Sequence, residues 1–319
     1  MRRKIISLFM AAVMALVMIL PTGCGEDKEE TFSNYPVKVG DVKFIGPPSK
    51  VVCLSSTLIG VTYAMGFEGQ LFGRTANCGY TEAEGIQSFG TAEKPSVNLI
   101  EGNAVDVVIA DDTIPQDSID DIEAVGVPVV VIPRATGRSS LVDMYCALGT
   151  VFQGGNTGYN AGRKVANEIL TQLDDIERMV ENEETWNTCI IISSDIKTFA
   201  TGDTLISSVL ESVGGFNVAK DSTDGEYTLQ DMMRSDPEVI ICPAGVENQL
   251  RAKSSLVGIP ALDNFRVYAM DMSVFDDQYK GVVKGAWRMA KILHPEVITD
   301  DVIPEGMIDD DYDDDVFED

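Results

Sequence analysis

Short, almost uninterrupted apolar runs recur along the chain and alternate with segments of helical period. Runs of this kind are typical of strands that helices cover on both faces, and so of parallel sheets in an α/β fold. Residues 115–125, with Ile119, Ile122 and Val125 at helical spacing, predict one of the covering helices. The predicted strands lie at residues 51–54, 71–75, 107–110, 127–132, 189–192, 238–242 and 266–270.

Residues 161–184 carry a sustained helical period, with no proline or glycine after Gly162. The apolar positions follow at steps of three or four: Val165, Ile169, Leu173, Ile176 and Val180. We therefore predict one long helix between two α/β halves, the first ending near Gly155 and the second opening at Trp186. A helix is a stiff spacer of ~1.5 Å per residue, so we expect little hinge opening.

An internal repeat relates the two halves. Residues 96–99 and 106–110 align with residues 228–231 and 238–242 at a constant offset of 132, and residues 54–56 align with 192–194 at an offset of 138. The sequence thus predicts two Rossmann-like lobes with parallel sheets, built on one plan and joined by a single long helix. The predicted boundaries are residues 37–155 for the N-terminal lobe, 156–185 for the linking helix and 186–298 for the C-terminal lobe.

The first residues have the layout of an export signal. Arg2, Arg3 and Lys4 precede an apolar run of 16 residues, which is shorter than the ~20 that a membrane-spanning helix needs. Residues 22–24 resemble a bacterial lipoprotein box, so residues 1–23 are predicted as the signal peptide and Cys24 as the lipidated residue. Residues 24–36 would be a polar tether to the outer face of the cell membrane. An ordinary thiol at Cys24 in a plain secretory signal is the alternative.

The charge balance excludes one class of partner. With 24 basic and 51 acidic residues, the net charge of −27 would repel a phosphate backbone, so we expect no nucleic-acid binding. Eight acids stand among residues 309–319, and we predict a solvated acidic tail over residues 299–319. An EF-hand is the weaker alternative because the loop lacks its glycine.

The cysteines and the single histidine limit the possible metal chemistry. Five cysteines remain after Cys24, and an odd number cannot all pair within one chain. Because His294 is the only histidine, we expect neither a direct zinc or manganese site nor a resident cofactor. No glycine-rich phosphate loop and no nucleophile elbow is present, so we predict no catalytic residues and no enzyme activity.

Several stretches, taken in order, resemble the extracytoplasmic binding proteins of ABC importers for iron-siderophores, haem and cobalamin. The matching stretches are residues 50–57, 90–91, 95–99, 106–110, 210–219, 236–241, 259–262 and 293–296. The resemblance implies the class III periplasmic binding protein fold and a monomer that captures a metal chelate between its lobes. It also implies an ABC permease and its ATPase as partners. A surface or sensory lipoprotein of the same fold, no longer serving transport, is the alternative.

Ligands of open α/β sheets bind beyond the carboxyl ends of the strands, which gives the candidate binding residues. Arginines there would suit an anionic chelate, or would merely offset acids such as Asp111 and Asp112. Aromatic residues in the loops would stack on a flat ligand, or would belong to the core. The candidates are Ser55, Ser56, Thr57, Tyr80, Asp111, Arg134, Arg138, Ser194, Phe199, Gly245, Ser273 and Phe275.

The resemblance also implies a docking surface for the permease. Members of the resembled family often carry one glutamate per lobe at matching places, which pairs with arginines of the membrane subunits. The corresponding positions here are the uncharged Asn98 and Gln230, related by the offset of 132. We expect these two residues, or the neighbouring acids Glu101 and Asp231, to make the contact.

Overall fold

The computed structural model describes residues 34–308. The predicted signal peptide, Cys24, most of the predicted tether and residues 309–319 lie outside the described residues. Within residues 34–308, no helix combines the length and apolar character needed to cross a membrane. The description starts with an antiparallel hairpin of β1 (Val37–Val39) and β2 (Val42–Phe44).

The N-terminal lobe is a four-stranded sheet between two layers of helices. Its strands are β3 (Val51–Cys53), β4 (Leu71–Arg74), β5 (Val107–Ala110) and β6 (Val129–Val131). Its helices are α1 (Ser56–Ala64), α2 (Val97–Gly102) and α3 (Gln116–Ala124), with 3₁₀ turns at Glu68–Gln70 and Thr81–Ala83. The order is β4-β3-β5-β6 and every pair is parallel. Each residue of β3 and β5 is buried, as parallel strands covered on both faces require.

Two consecutive long helices connect the lobes. The first is α4 (Arg138–Gln153), and the second is α5 (Gly155–Val180) with 26 residues. Gly154 separates them with a φ of 78°, a backbone angle that favours glycine. The prediction extended the linking helix to residue 184 or 185, but α5 ends at Val180 and a turn follows. The predicted linking helix starts at residue 156, next to the start of α5, but no helix was predicted over α4.

The backbones of α4 and α5 touch through glycines. A Cβ on Gly158 would lie 1.9 Å from the carbonyl oxygen of Gly149, and a Cβ on Gly162 would lie 2.1 Å from that of Tyr145. No other residue fits such an approach without moving a helix. The buried stripe of α5 then continues with apolar residues at steps of three or four: Ala166, Ile169, Leu173, Ile176 and Val180.

The C-terminal lobe repeats the plan of the N-terminal lobe. Its strands are β7 (Trp186–Ile190), β8 (Gly215–Asn217), β9 (Val239–Cys242) and β10 (Val267–Ala269). Its helices are α6 (Leu205–Ser212), α7 (Leu229–Ser235), α8 (Val246–Arg251), α9 (Pro260–Asp263) and α10 (Lys280–Leu293), with 3₁₀ turns at Ser254–Leu256 and Met272–Asp276.

The repeat seen in the sequence is a repeat of topology. The second sheet has the order β10-β9-β7-β8, all parallel, which is the order of the first sheet read from its other edge. An offset of 132 carries β5 onto β9 residue for residue, and carries α2 onto α7. The predicted fold class, two α/β lobes with parallel sheets joined through a long helix, is confirmed.

The two lobes share one hydrophobic core. A single cluster of buried residues joins one face of each sheet to the helices between them, with Ile109, Ile241, Leu148, Ile169 and Trp287 among its members. The outer face of each sheet has its own smaller core. Burial of apolar surface in the shared cluster therefore contributes to holding the two lobes together.

Candidate functional site

We take the carboxyl ends of the strands as the candidate site and call the place where those of the two lobes meet the cleft. The N-terminal lobe contributes the residues that follow β3, β5 and β6, and the C-terminal lobe those that follow β7, β9 and β10. After β10 the chain crosses to the N-terminal lobe. We call residues 274–279 the crossing segment.

Two residues of the N-terminal lobe edge bond to each other. Ser55 Oγ donates to Asp111 Oδ2 at 2.6 Å and accepts from the amide of Leu58 at 3.2 Å, which caps α1. Asp111 Oδ1 accepts from both the amide and the hydroxyl of Thr113. Because both side chains are buried and their hydrogen bonds are committed, Ser55 and Asp111 shape this edge and leave little capacity for a ligand.

Two hydroxyl groups of the N-terminal lobe bond to the crossing segment. Thr57 Oγ1 donates to the carbonyl oxygen of Asp276 at 3.0 Å, and Tyr80 Oη donates to Asp277 Oδ1 at 2.6 Å. Gly60 makes room for the tyrosine, because a Cβ there would lie 1.9 Å from Tyr80 Oη. Burial, together with the bond to Asp277, raises the pKa of Tyr80. Both candidates therefore join the lobes.

Gln278 makes the most buried contact between the lobes. Its Oε1 accepts from the amide of Ala135 at 2.7 Å, and its Nε2 donates to the carbonyl of the same residue at 2.9 Å. The carbonyl oxygen of Gln278 in turn accepts from Tyr145 Oη at 2.9 Å. We call this set the base of the cleft: Thr57, Tyr80, Ala135 and Tyr145 with the crossing segment.

The two candidate arginines occupy different surroundings. Arg134 follows β6, and both its backbone amide and its Nε donate to Asp112 Oδ1, at 3.1 and 3.3 Å. Arg138 lies at the start of α4, where it pairs with Asp174 and Glu177 of α5 and donates to Ser212 Oγ of α6. The prediction for Arg138 is corrected, because its guanidinium is held by the linking helix and not by the strand ends.

A carboxylate of the C-terminal lobe also lies close to Arg134. Burial raises the pKa of Asp276, the nearby charge of Arg134 opposes the rise, and the carboxylate of Asp271 adds to it. Arg134 is thus the meeting point of charges from both lobes. Asp112 belongs to the N-terminal lobe, and Asp271 and Asp276 belong to the C-terminal lobe.

The remaining polar candidates are more open to solvent. Ser56 is half-buried and its Oγ accepts from the amide of Gly79 at 2.9 Å. Ser194, Gly245 and Ser273 are exposed. Ser273 bonds through its amide and hydroxyl to Asp271 Oδ1. We call this set the rim of the cleft: Ser56, Asp112, Arg134, Ser194, Gly245 and Ser273.

The two phenylalanine candidates are core residues, which corrects both predictions. Phe199 is 1% exposed and packs edge-on against Tyr227 with ring centroids 5.4 Å apart, because its strand-like bridge to Ile191 turns it into the outer core. Phe275 is 5% exposed and lies over Gly285 of α10, where a Cβ would be 2.4 Å from the ring. Neither ring has a face free to stack on a ligand.

The buried titratable groups are structural. His294 is buried at the end of α10 with Nε2 3.0 Å from the carbonyl oxygen of Val213, and burial lowers its pKa. Cys53, Cys146, Cys189 and Cys242 are buried free thiols, and Cys78 is a half-buried one. Burial raises the pKa of Cys53 and Cys242 to about 12, which makes their thiolates scarce. Among residues 34–308, no three potential metal ligands of the His, Cys, Asp and Glu types cluster together.

The predicted docking residues lie at equivalent places in the two lobes. Asn98 and Gln230 are exposed and each is the second residue of its helix, α2 or α7. Glu101 is exposed on α2. Asp231 closes a capping box with Thr228 and pairs with Arg234, and these hydrogen bonds lower its pKa. Of the two acids, Asp231 is therefore the one already engaged.

The sequence reasoning named Asp271 among the strand ends but missed Asp276 and Gln278. Both follow the carboxyl end of β10, the region that selected Ser273 and Phe275 as candidates. The acidic and amide residues in the stretch after β10 could have marked them as candidates in the sequence. That Gln278 would reach Ala135 of the other lobe was not readable from the pattern.

The fold and the cleft define an α/β binding protein of two lobes. A sequence model of the family described as "Periplasmic binding protein" matches residues 51–274, and the chain belongs to that family. An uncharacterised ABC transporter substrate-binding lipoprotein of Bacillus subtilis, YvrC, is 22% identical over 304 residues, covering 89% of this chain and 96% of its own length.

Solved structures with low sequence identity share the fold. A possible iron-binding (periplasmic solute-binding) protein of Staphylococcus epidermidis superposes with a TM-score of 0.69 at 15% identity, covering 78% of this chain and 100% of its own. The periplasmic vitamin B12 binding protein of Vibrio cholerae has a TM-score of 0.63 at 16% identity, covering 77% and 97%.

Proposed function

We propose that this substrate-binding protein of an ABC importer captures a preformed organic metal chelate, of the iron-siderophore, haem or cobalamin type, in the cleft between its lobes. Lipidation of Cys24 would hold it at the outer face of the cell membrane. The protein would then deliver the chelate to a permease that an ATPase drives. Membership of the family and the lipoprotein relative support this function.

The proposal depends on one observation. Hydrogen bonds join the two lobes at the base of the cleft, while the rim residues are exposed to solvent. Hydrogen bonds from Thr57, Tyr80 and Tyr145 fix the two sets of strand ends against each other. Ser194, Gly245 and Ser273, which follow strands of the C-terminal lobe, remain exposed. Lobes that are already fixed against each other suit a large, rigid ligand, because little ordering is lost on binding.

The test is binding by the protein produced without its leader. Its absorption spectrum is recorded as purified, and tryptophan fluorescence is then titrated with haem, cobinamide and a panel of ferric siderophores. We expect saturable binding of one of these chelate classes. No binding of any of them would contradict the proposal.

A bulky residue at the rim locates the binding site. Ser194→Trp places an indole in the cleft and is expected to weaken binding of the chelate at least tenfold by occupying its space. Ser255→Trp is the matched control, since Ser255 is exposed in the 3₁₀ turn between α8 and α9 and does not follow the carboxyl end of a strand. Equal binding by both variants would place the ligand elsewhere.

The lipid anchor has a separate test. Cys24→Ser removes the acceptor thiol, and we expect the protein to move from the membrane fraction into the soluble extracytoplasmic fraction. Metabolic labelling with a radioactive fatty acid should be lost in the same variant. Continued labelling would show that Cys24 is not the lipidated residue.

We further propose that the permease docks across the starts of α2 and α7. Asn98→Arg with Gln230→Arg adds a positive charge in each lobe, which is expected to abolish uptake while chelate binding in solution is unchanged. Asn160→Arg with Asn167→Arg, both exposed on α5, is the matched control. Uptake that survives the first pair would contradict this docking surface.

The second candidate is a surface or sensory lipoprotein of the same fold. Asn98 and Gln230 stand where the resembled family often has glutamates, and this loss of both charges favours the second candidate. Deletion of the gene distinguishes the two, because loss of a transport component abolishes chelate uptake whereas loss of a sensor leaves uptake in place.

A further inference from the structure

The side of α10 that is not buried is basic. Of the 14 residues of this helix nine are buried, and four of the other five are Lys280, Lys284, Arg288 and Lys291. Steps of four, four and three residues place these cations in one stripe along the helix. The helix has no acidic residue, although the chain has 51 acids and 24 bases. We call this stripe the basic face of α10.

The chain that follows α10 runs back along the same helix. Lys291 Nζ, in the last turn, donates to Asp300 Oδ1 at 2.7 Å. Val302 and Pro304 then line a groove with Trp287. Residues 307–308 line a cavity farther toward the first turn of the helix. The direction of the chain therefore leads along the basic face toward the start of α10.

The cavity at the end of this path has an excess of positive charge. Its walls come from the end of β10, from the crossing segment, from α10 and from residues 307–308. Among the described residues that line it, Lys284 and Arg288 are cations and Asp271 is the one acid. Its volume of about 110 Å³ is small beside the ~300–1,000 Å³ of ordinary small-molecule pockets. The cavity therefore fits side chains better than a chelate.

The two ends of the basic face have acids of their own. Lys291 is paired with Asp300. At the start of α10, Asp277 accepts from the amide of Gly281 at 3.1 Å, next to Lys280, and Asp276 precedes it in the chain. These acids offset the outer cations, so the excess positive charge of the basic face lies at the cavity.

The sequence immediately after Ile308 is strongly acidic. Asp309, Asp310 and Asp311 follow directly, and eight acids stand among residues 309–319. We call residues 309–319 the acidic segment, which lies outside the described residues. Three residues span at most about 10 Å, so their attachment to Ile308 keeps the first carboxylates within reach of the cavity. Such a short connection gives an effective concentration in the millimolar range.

We propose that the acidic segment binds to the basic face of α10 and closes the cavity at the end of β10. Its first carboxylates pair with Lys284 and Arg288, so the partner of this surface is a segment of the same chain. Val274 of the crossing segment lines the same cavity. The bound segment therefore supports the crossing segment from the side opposite the N-terminal lobe, and this role is independent of the chelate that the cleft binds.

Proteolysis measures whether the acidic segment is bound. The protein without its leader is treated with an endoproteinase specific for aspartate, and the loss of residues 309–319 is followed by mass spectrometry. Lys284→Gln with Arg288→Gln should speed this loss about threefold or more at low salt. The ratio of the variant rate to the unchanged rate should fall toward one at high salt, because the charges are screened.

Two further variants separate charge from fold. Lys284→Arg with Arg288→Lys keeps both charges and should keep the slow cleavage. Arg163→Gln with Lys164→Gln, an exposed pair on α5, is the matched control and should not change the rate. Equal cleavage of the unchanged protein and Lys284→Gln with Arg288→Gln would overturn the proposal. Protection that increases with protein concentration would also overturn it, because the acidic segment would then lie on a second copy.

The sign of a stability change gives a second test that leaves α10 intact. Asp309→Asn with Asp310→Asn removes two negative charges from an acidic chain, which by repulsion alone should raise the melting temperature. The proposal predicts a lower melting temperature at low salt. Glu181→Gln with Glu184→Gln, at exposed positions after α5, is the matched control and should not lower it. An unchanged or raised melting temperature for the aspartate variant would contradict the proposal.

Discussion

The base and the rim of the cleft both lie at the strand ends, but they have different roles. The base joins the two lobes, and the rim is exposed to solvent. At the base, Thr57, Tyr80 and Tyr145 donate hydrogen bonds across the lobes and are at least half-buried. At the rim, Ser194 and Ser273 are exposed and bond only within their own lobe.

The difference between base and rim arises from the path of the chain. The segment after β10 crosses to the N-terminal lobe and converts the strand ends it meets into a structural contact. The strand ends it does not meet stay open. Position at a carboxyl end therefore identifies the cleft, but only the neighbouring chain decides which of its residues can touch a ligand.

The largest expected effect that tests this division is at the centre of the base. Gln278→Ala leaves the amide and carbonyl of Ala135 without their partner in a buried place, which should cost about 2–4 kcal/mol of unfolding free energy. Gln249→Ala on α8, beside the rim residue Ser194, is the control, since its amide donates to the carbonyl oxygen of Ser194 at 3.4 Å. Urea denaturation measures both. A cost below about 1 kcal/mol for Gln278→Ala would show that the base does not hold the lobes.

A smaller loss is expected for a second base residue. Tyr80→Phe removes the hydroxyl that donates to Asp277 Oδ1, while that oxygen keeps the amide of Tyr279 as a donor. We expect a loss of about 1 kcal/mol, measured by the same denaturation. Chelate affinity should change little. A large loss of affinity with unchanged stability would show that Tyr80 contacts the ligand and does not hold the base together.

Asp276, a residue of the base, should respond to pH, and only weakly because the residue is largely exposed to solvent. Burial raises the pKa of Asp276 above its ordinary 3.8, so its ionised form is disfavoured in the folded protein. At pH 7 that charge lowers stability, and the effect disappears as pH falls through the raised pKa toward 3.8.

We therefore expect Asp276→Asn to raise the melting temperature at pH 7, by less than Tyr80→Phe lowers it. The gain should shrink as the pH is lowered toward 4. Thermal melts at several pH values, with Asp221→Asn as the control, check this. A lower melting temperature for Asp276→Asn at pH 7 would show that the attraction of Arg134 outweighs burial.

The smallest effect is expected at the rim. Arg134 and Asp112 are both substantially exposed, with 41% and 46% of their side chains accessible. Arg134→Ala should change the unfolding free energy by about 0.5 kcal/mol or less, because exposed ion pairs are screened by water. A loss as large as that of Gln278→Ala would erase the distinction between base and rim.

The fold could be predicted from the sequence because burial repeats along the chain. The apolar runs of β5 and β9 recur at an offset of 132, and the stripe from Ile169 to Val180 recurs at helical spacing. Both patterns are local in the sequence, so each can be recognised without knowing which element packs against it. The boundary predicted at residue 155 lies where α5 starts, whereas the helix before it, α4, was not predicted from the sequence.

The site could be predicted only in outline. Strand ends located the cleft, but the same rule selected Phe199 and Phe275, whose rings turn into the core. Arg138 was chosen for its charge, whereas its partners Asp174 and Glu177 come from a helix that the pattern does not place beside it. Contacts between residues far apart in sequence decide such cases.

The core that the two lobes share limits how far the protein can change shape when it binds its ligand. In a binding protein whose lobes open and close, the closed shape shows that the ligand is bound. Here Leu148, Ile169 and Trp287 belong to one packed interior with both sheets, so such swinging would open that interior to water. We therefore expect the loaded and the empty protein to differ mainly in the residues around the cleft.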